Sequence, residues 1–206
     1  MKKLQYGRSM VEMLGVLAII GVLSVGAIAG YQKAMMKHRL NKQAQQLSQL
    51  LNVLYKHKAS WGTNPPYMDL MPYLKKLGEI PKEMIKDKKD NIYDVFQSEI
   101  TIATNGCDSN MCNEIMLTYE INNNNVFDVC QNVYNIARGH SSDLHTIGIS
   151  KRMSEKGEST FDWFRGDKYC QPGGFTCIRD ITKNIIYDIC KLCEEASSCD
   201  FYIYIR

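Results

Sequence analysis

The chain has 206 residues, enough for one domain plus an anchor, with 23% charged residues and a formal net charge of +3. That balance, with no dense Lys/Arg stripe interleaved with aromatics, argues against a nucleic-acid binder. The basic excess is local: Lys2, Lys3 and Arg8 precede an apolar run, and Lys33, Lys37, His38, Arg39 and Lys42 follow it.

The apolar run Met13–Tyr31 carries no charge. As a helix it is roughly 28 Å long, close to the hydrocarbon thickness of a bilayer. Three fates are open to it. It is a cleaved secretory signal, with Lys2 and Lys3 as the basic leader and a cut after Ala27-Ile28-Ala29. It is a plain uncleaved anchor. Or it belongs to a precursor trimmed on the cytoplasmic side, before the apolar run. Basic residues on both flanks do not orient it, but a short N-terminal tail and a long downstream domain favour tail-in, domain-out.

Three features favour trimming. The run exceeds the ~7–15 apolar residues of a signal peptide. A carboxylate, Glu12, lies inside the apolar stretch that opens at Met10. At mid-bilayer an ionised acid costs on the order of 2.5–3.5 kcal/mol, somewhat less near the interface, so it calls for a cation. The helical pattern also continues past the membrane: Met36, Leu40, Ala44, Leu47, Leu51 and Leu54 step by three or four along one face. Lys42, Gln43, Gln45 and Gln46 fill much of the rest. No proline occurs before Gly62, so one helix from about Arg8 to His57, roughly 75 Å long, is expected. Gly15, Gly21, Gly26 and Gly30 each weaken it by about 1 kcal/mol relative to alanine.

Gly7-Arg8-Ser9-Met10-Val11-Glu12, after a short basic leader and before an apolar helix, resembles the processing site of type IV prepilins and type II secretion pseudopilins. The resemblance implies a cut between Gly7 and Arg8 by a prepilin peptidase, and methylation of the new N-terminus on Arg8. It places Glu12 fifth in the mature chain, where the family's acidic residue pairs with the N-terminal amine of a neighbouring subunit. Arg8 departs from the Phe, Met or Leu usual at that place. The implied organisation is a leader at 1–7, a membrane and assembly helix at 8–31, its amphipathic continuation at 32–60, and a globular pilin-like α+β domain at 61–206.

Trp61-Gly62-Thr63-Asn64-Pro65-Pro66 ends the long helix. A short helix is expected around Asp69–Leu77, and Lys86–Asp90 reads as a solvated face. Ile92–Phe96 and Ile100–Thr104 read as a hairpin, and Ile115–Ile121 as a third strand. Phe127, Cys130, Val133, Tyr134 and Ala137 recur at helical spacing. Gly139–Gly173 reads as loops, with a weak strand signal at His145–Ile149. A helix over Ile178–Ala196 and a terminal strand over Phe201–Ile205 complete an α+β fold: a long helix packed on an antiparallel sheet, with a disulfide-rich C-terminal region.

All eight cysteines, Cys107, Cys112, Cys130, Cys170, Cys177, Cys190, Cys193 and Cys199, lie in the second half. In an exported domain they read as a disulfide framework. Cys190-x2-Cys193 with Cys199, or Cys107-x4-Cys112, also has zinc-like spacing, but His38, His57, His140 and His145 add no ligand to it. Cys190-x2-Cys193 could also be a redox pair, but it sits late in an expected helix, without the strand–CxxC–helix start that lowers a thiol pKa. We therefore expect disulfides, with no metal and no cofactor. The element order resembles type IVb-like pilins, and that resemblance implies a Cys130–Cys199 bond.

No nucleophile elbow, phosphate loop or zinc-protease motif appears. Ser141, Asp143 and His145 carry triad letters but read as solvated loop. Tyr202 and Tyr204 read as one face of a strand rather than a ligand platform. The expectation is therefore not an enzyme but a structural subunit of a type IV pilus-like filament or a type II secretion pseudopilus. Its partners would be copies of itself, the prepilin peptidase, the inner-membrane assembly machinery and the membrane, with no nucleic acid. It would sit in the inner membrane with a periplasmic domain before assembly. The alternative is a secreted or anchored disulfide-rich binding domain that does not polymerise.

Overall fold

The computed structural model describes residues 10–61, 66–86, 91–105, 114–121, 124–152, 159–171 and 174–206. Gly7, Arg8, Cys107 and Cys112 lie outside the described residues. The chain forms two compact units that divide between Arg39 and Leu40. The helix α1 (Met10–His57) runs through that division without interruption, with no proline in it to break the backbone ladder.

In the second unit, β1 (Met68–Asp69) and α2 (Met71–Lys76) follow α1. Next come β2 (Ile92–Tyr93), β3 (Glu99–Asn105), β4 (Glu114–Ile121) and α3 (Val126–Gly139). The hairpin β5 (Leu144–Arg152) and β6 (Ser159–Arg165), then α4 (Lys183–Glu195) and β7 (Ser198–Ile205), complete it. The seven strands make one antiparallel sheet in the order β1-β3-β4-β7-β5-β6, with β2 also on β3. The terminal strand β7 thus lies between β4 and β5.

Alternation sets the two faces. Ile100 and Ile102, Leu117 and Tyr119, Phe201 and Ile203, Ile147 and Ile149, and Phe164 form the buried inner face. Leu47, Leu50, Leu51 and Leu54 of α1, and Val129, Val133 and Tyr134 of α3, complete the core. The Tyr134 ring meets Phe201 and Phe164 edge-on at 5.1 and 5.8 Å.

Two α1 glutamines expected on its polar side are buried instead: Gln43 and Gln46 are 1% and 2% exposed. Partners on the sheet side explain this. Gln43 Nε2 donates to the Tyr119 hydroxyl at 2.6 Å, and that hydroxyl donates to Asp94 Oδ2. Asp94 Oδ1 accepts the Phe96 and Ser98 amides, both at 2.8 Å. Gln46 Oε1 accepts the Val95 amide at 3.0 Å, and Asn132 of α3 donates to Gln43 Oε1 at 2.7 Å. Burial pushes the Asp94 carboxyl above its usual range, against the lowering effect of these donors. The network fixes the rotation and register of the C-terminal half of α1, because breaking one member leaves another buried and unmet at a cost of about 1–3 kcal/mol.

Several boundaries differ from expectation. Val95 and Phe96 form the turn held by Asp94 and are not strand. The expected loop Gly139–Gly173 contains the β5–β6 hairpin. The last helix begins at Lys183 rather than Ile178, because Thr182 Oγ1 caps it by accepting the Ile185 amide at 3.3 Å.

Among the described residues the disulfides are Cys130–Cys190, Cys170–Cys177 and Cys193–Cys199. The expected Cys130–Cys199 bond is therefore wrong. Cys130 on α3 faces Cys190 on the adjacent α4, and Cys199 at the start of β7 bonds back to Cys193 at the end of α4. Cys190 and Cys193 bond elsewhere and not to each other.

The outer face presents an acidic row at one end, with Glu99, Glu120 and Asp200 in register across β3, β4 and β7. Burial, then repulsion from Glu120, raises the Asp200 carboxyl above its usual range. A carboxyl raised in the folded state contributes full stability below its unfolded value near pH 4, about 3.9, and loses it as pH rises through the folded value. Asp200→Asn should therefore gain about 0.5–1 kcal/mol at pH 7 and nothing at pH 3. Urea unfolding at the two pH values checks this, and an equal effect at both would refute it.

Candidate functional site

The first unit is described by its helix alone. From Met10 to Tyr31 every side chain is exposed; Leu14, Val22 and Val25 are 66%, 75% and 70% exposed. The most apolar 18-residue window has a mean hydropathy of 2.4 and none of it is buried. A helix apolar on all sides is stable only inside apolar surroundings. Covering its large side chains yields about 1.5–3 kcal/mol each, tens of kcal/mol in all. The segment is long and apolar enough to cross a bilayer.

Glu12 stands in the first turn of α1. There a carboxylate is favoured by the positive end of the helix dipole, which offsets a part of the cost of a charge in an apolar segment. Its neighbours Met10, Val11, Met13 and Leu14 are large, apolar and exposed, so Glu12 is the one charge on the surface of Met10–Tyr31. A carboxylate is the group in this segment that can pair with a cation. At the other end of the helix Lys56 and His57 meet Glu79 Oε1 at 2.9 and 3.0 Å, and Lys42 meets Glu83 at 2.7 Å. Hydrogen bonds from Lys56 and His57 hold the Glu79 carboxyl below its usual range, and one from Lys42 does so for Glu83.

The triad letters do not form a solvated loop. Ser141 and His145 are buried, and Ser141 Oγ donates to Asp167 Oδ2 at 2.9 Å. His145 sits at an irregularity between Leu144 and Thr146 in the β5–β7 pairing and packs against Glu114 and Arg165. Reading by motif missed Glu114, Trp163 and Arg165, which this sheet face brings together. The visible signal was the alternation Phe161-x-Trp163-x-Arg165, which lies across β5 from Tyr202-x-Tyr204.

The chain matches no protein-family model and no curated protein. Its architecture, a long apolar N-terminal helix whose second half packs on an antiparallel sheet, is pilin-like.

Proposed function

We propose that this protein is a structural subunit of a type IV pilus-like filament or a type II secretion pseudopilus. The observation that carries the reading is Glu12: a single carboxylate at the start of a wholly apolar helix, which continues into a half bonded to a disulfide-stapled sheet domain. The precursor is cut after Gly7 by a prepilin peptidase and the new N-terminus, Arg8, is methylated. The trimmed chain waits in the inner membrane with its domain in the periplasm. Assembly machinery then moves it into a polymer whose core is the packed apolar helices. In that core the Glu12 carboxylate pairs with the N-terminal amine of the neighbouring copy, which sets the stagger between subunits. Arg8 adds a guanidinium near the same carboxylate and reaches the headgroups while the chain is in the membrane.

Intact-mass measurement of the chain from membranes that contain the peptidase tests the processing. The expected product starts at Arg8 and is one methyl group heavier than the bare chain. A product starting at Gly30 would mean a secretory signal. One starting at Met1 would mean a plain anchor, and with it the non-polymerising alternative.

A further inference from the structure

From Met13 to Met68 the chain has no aspartate or glutamate, yet it carries Lys33, Lys37, Arg39, Lys42, Lys56 and Lys58 on or just past α1. These cations divide into two sets. In the globular unit they find partners within the chain. Lys42 meets Glu83 at 2.7 Å, Lys56 meets Glu79 at 2.9 Å, and Lys58 donates to the Arg206 carbonyl oxygen at 2.8 Å. Just past the apolar run the pattern changes. Lys33 and Lys37 are exposed, and neither joins an ion pair among the described residues. Four positions apart on one helix, they are neighbours on the same side of α1.

Their position decides what can meet them. Tyr31 closes the apolar run. Lys33 follows it by about 3 Å along the helix axis and Lys37 by about 9 Å. The headgroup layer on each side of the hydrocarbon is roughly 5–8 Å deep. Side chains of an α-helix lean toward its N-terminus, which here is toward the apolar run. A lysine stem laid back in that direction brings both ammonium groups to headgroup depth. Tyr31, 66% exposed, is of the type that anchors at the same boundary. In the tail-in orientation these lysines stand on the exported side. The usual bias keeps Lys and Arg on the cytoplasmic side, so a pair of cations held here calls for an anion.

We propose that Lys33 and Lys37 bind the headgroups of anionic phospholipids in the leaflet at the C-terminal end of the apolar segment. The inference rests on the reading of that segment as membrane-spanning. The chemistry of the pair selects the partner. Each ammonium is a compact point charge on a flexible stem, without the planar fork with which arginine fixes one carboxylate. Such groups suit mobile phosphates that exchange past them. A zwitterionic headgroup brings its own ammonium, which cancels most of the attraction, whereas an anionic one keeps it. The contact holds the helix at one depth while the chain waits in the membrane, and it must be given up when the chain leaves for a polymer.

The test uses the full chain in phosphatidylcholine vesicles that carry traces of spin-labelled phosphatidylglycerol or spin-labelled phosphatidylcholine. The share of each label slowed at the protein surface gives the relative affinity. One basic side chain near an anionic lipid surface is worth about fivefold. Phosphatidylglycerol should therefore be preferred by about tenfold. Lys33→Gln together with Lys37→Gln should lower the preference about fivefold or more, and about 1 M salt should do the same. Lys33→Arg with Lys37→Arg should keep it, and so should Lys56→Gln, whose lysine already has Glu79. Gln and Lys have similar helix propensity, so the double variant keeps α1. Equal affinity for the two lipids in the native chain, or a preference left unchanged by the double Gln variant, would overturn the proposal. Equal affinity combined with loss of filaments in that variant would overturn it in favour of an acidic protein surface. A chain that alkaline carbonate strips from the vesicles would sink the membrane-spanning reading and this inference with it. A chain that stays inserted but shows no lipid preference sinks this inference alone.

Discussion

Glu12→Leu should be made, inserted and trimmed normally, yet fail to form filaments. In the membrane the substitution removes a charge and makes the helix more apolar, so insertion is favoured by up to about 3 kcal/mol. In the proposed polymer it removes the partner assigned to a buried amine. Breaking a buried ion pair from one side costs about 3–5 kcal/mol, because the remaining charge stays desolvated. A loss of about 3 kcal/mol per subunit contact raises the concentration needed for assembly more than a hundredfold. Glu12→Asp keeps the charge on a side chain one methylene shorter, and should restore a part of the assembly. Electron microscopy of filaments, alongside the intact mass of the trimmed chain, checks both. Normal filaments from Glu12→Leu would contradict the role given to this residue.

The second large effect concerns the scaffold. Replacing Cys130 and Cys190 together with alanine should lower the stability of the globular unit by about 4 kcal/mol. The bond closes a segment of 60 residues that contains β5 and β6, and links α3 to α4. Loop-closure entropy for that length is about 4 kcal/mol, against about 2 kcal/mol for the loops of 7 and 6 residues closed by Cys170–Cys177 and Cys193–Cys199. Total stabilities of about 5–15 kcal/mol make that difference large. Urea unfolding of the double variant and of Cys170→Ala with Cys177→Ala compares the long loop with a short one. A smaller loss from the long loop than from the short one would contradict the assignment.

The long helix was legible because an apolar run leads into a helical period from Met36 to Leu54 and no proline interrupts either. Strands β3, β4 and β7 were legible because one face of each is buried and the other is not, so their alternation survives in the residue types. Strand β5 broke that rule: Leu144–Lys151 is buried throughout, and it carries His145, Gly148, Ser150 and Lys151. Two of those residues have a reason only their neighbours reveal. Gly148 makes room for Trp163, and Lys151 meets Asp162 of β6. Gln43 and Gln46 were misplaced because polarity alone puts a glutamine outside, whereas a hydroxyl and a backbone amide inside the fold need them. The cysteine pairing was misassigned for a related reason. Which thiols meet depends on α3 lying beside α4, a tertiary fact that spacing does not carry. The cavity lined by Glu114, Thr146, Trp163, Arg165, Phe175 and Tyr204 joins residues from β4, β5, β6, β7 and the loop after β6, so no motif announces it.

Cryo-electron microscopy of material sheared from cells tests the central claim most directly. The account predicts a helical filament whose core is the packed Met10–Tyr31 segments, with each Glu12 carboxylate within ion-pair distance of the amine of a neighbouring Arg8. Finding the chain only as single copies in the membrane, or as a polymer whose subunits touch through their sheet domains with the apolar helices apart, would contradict it.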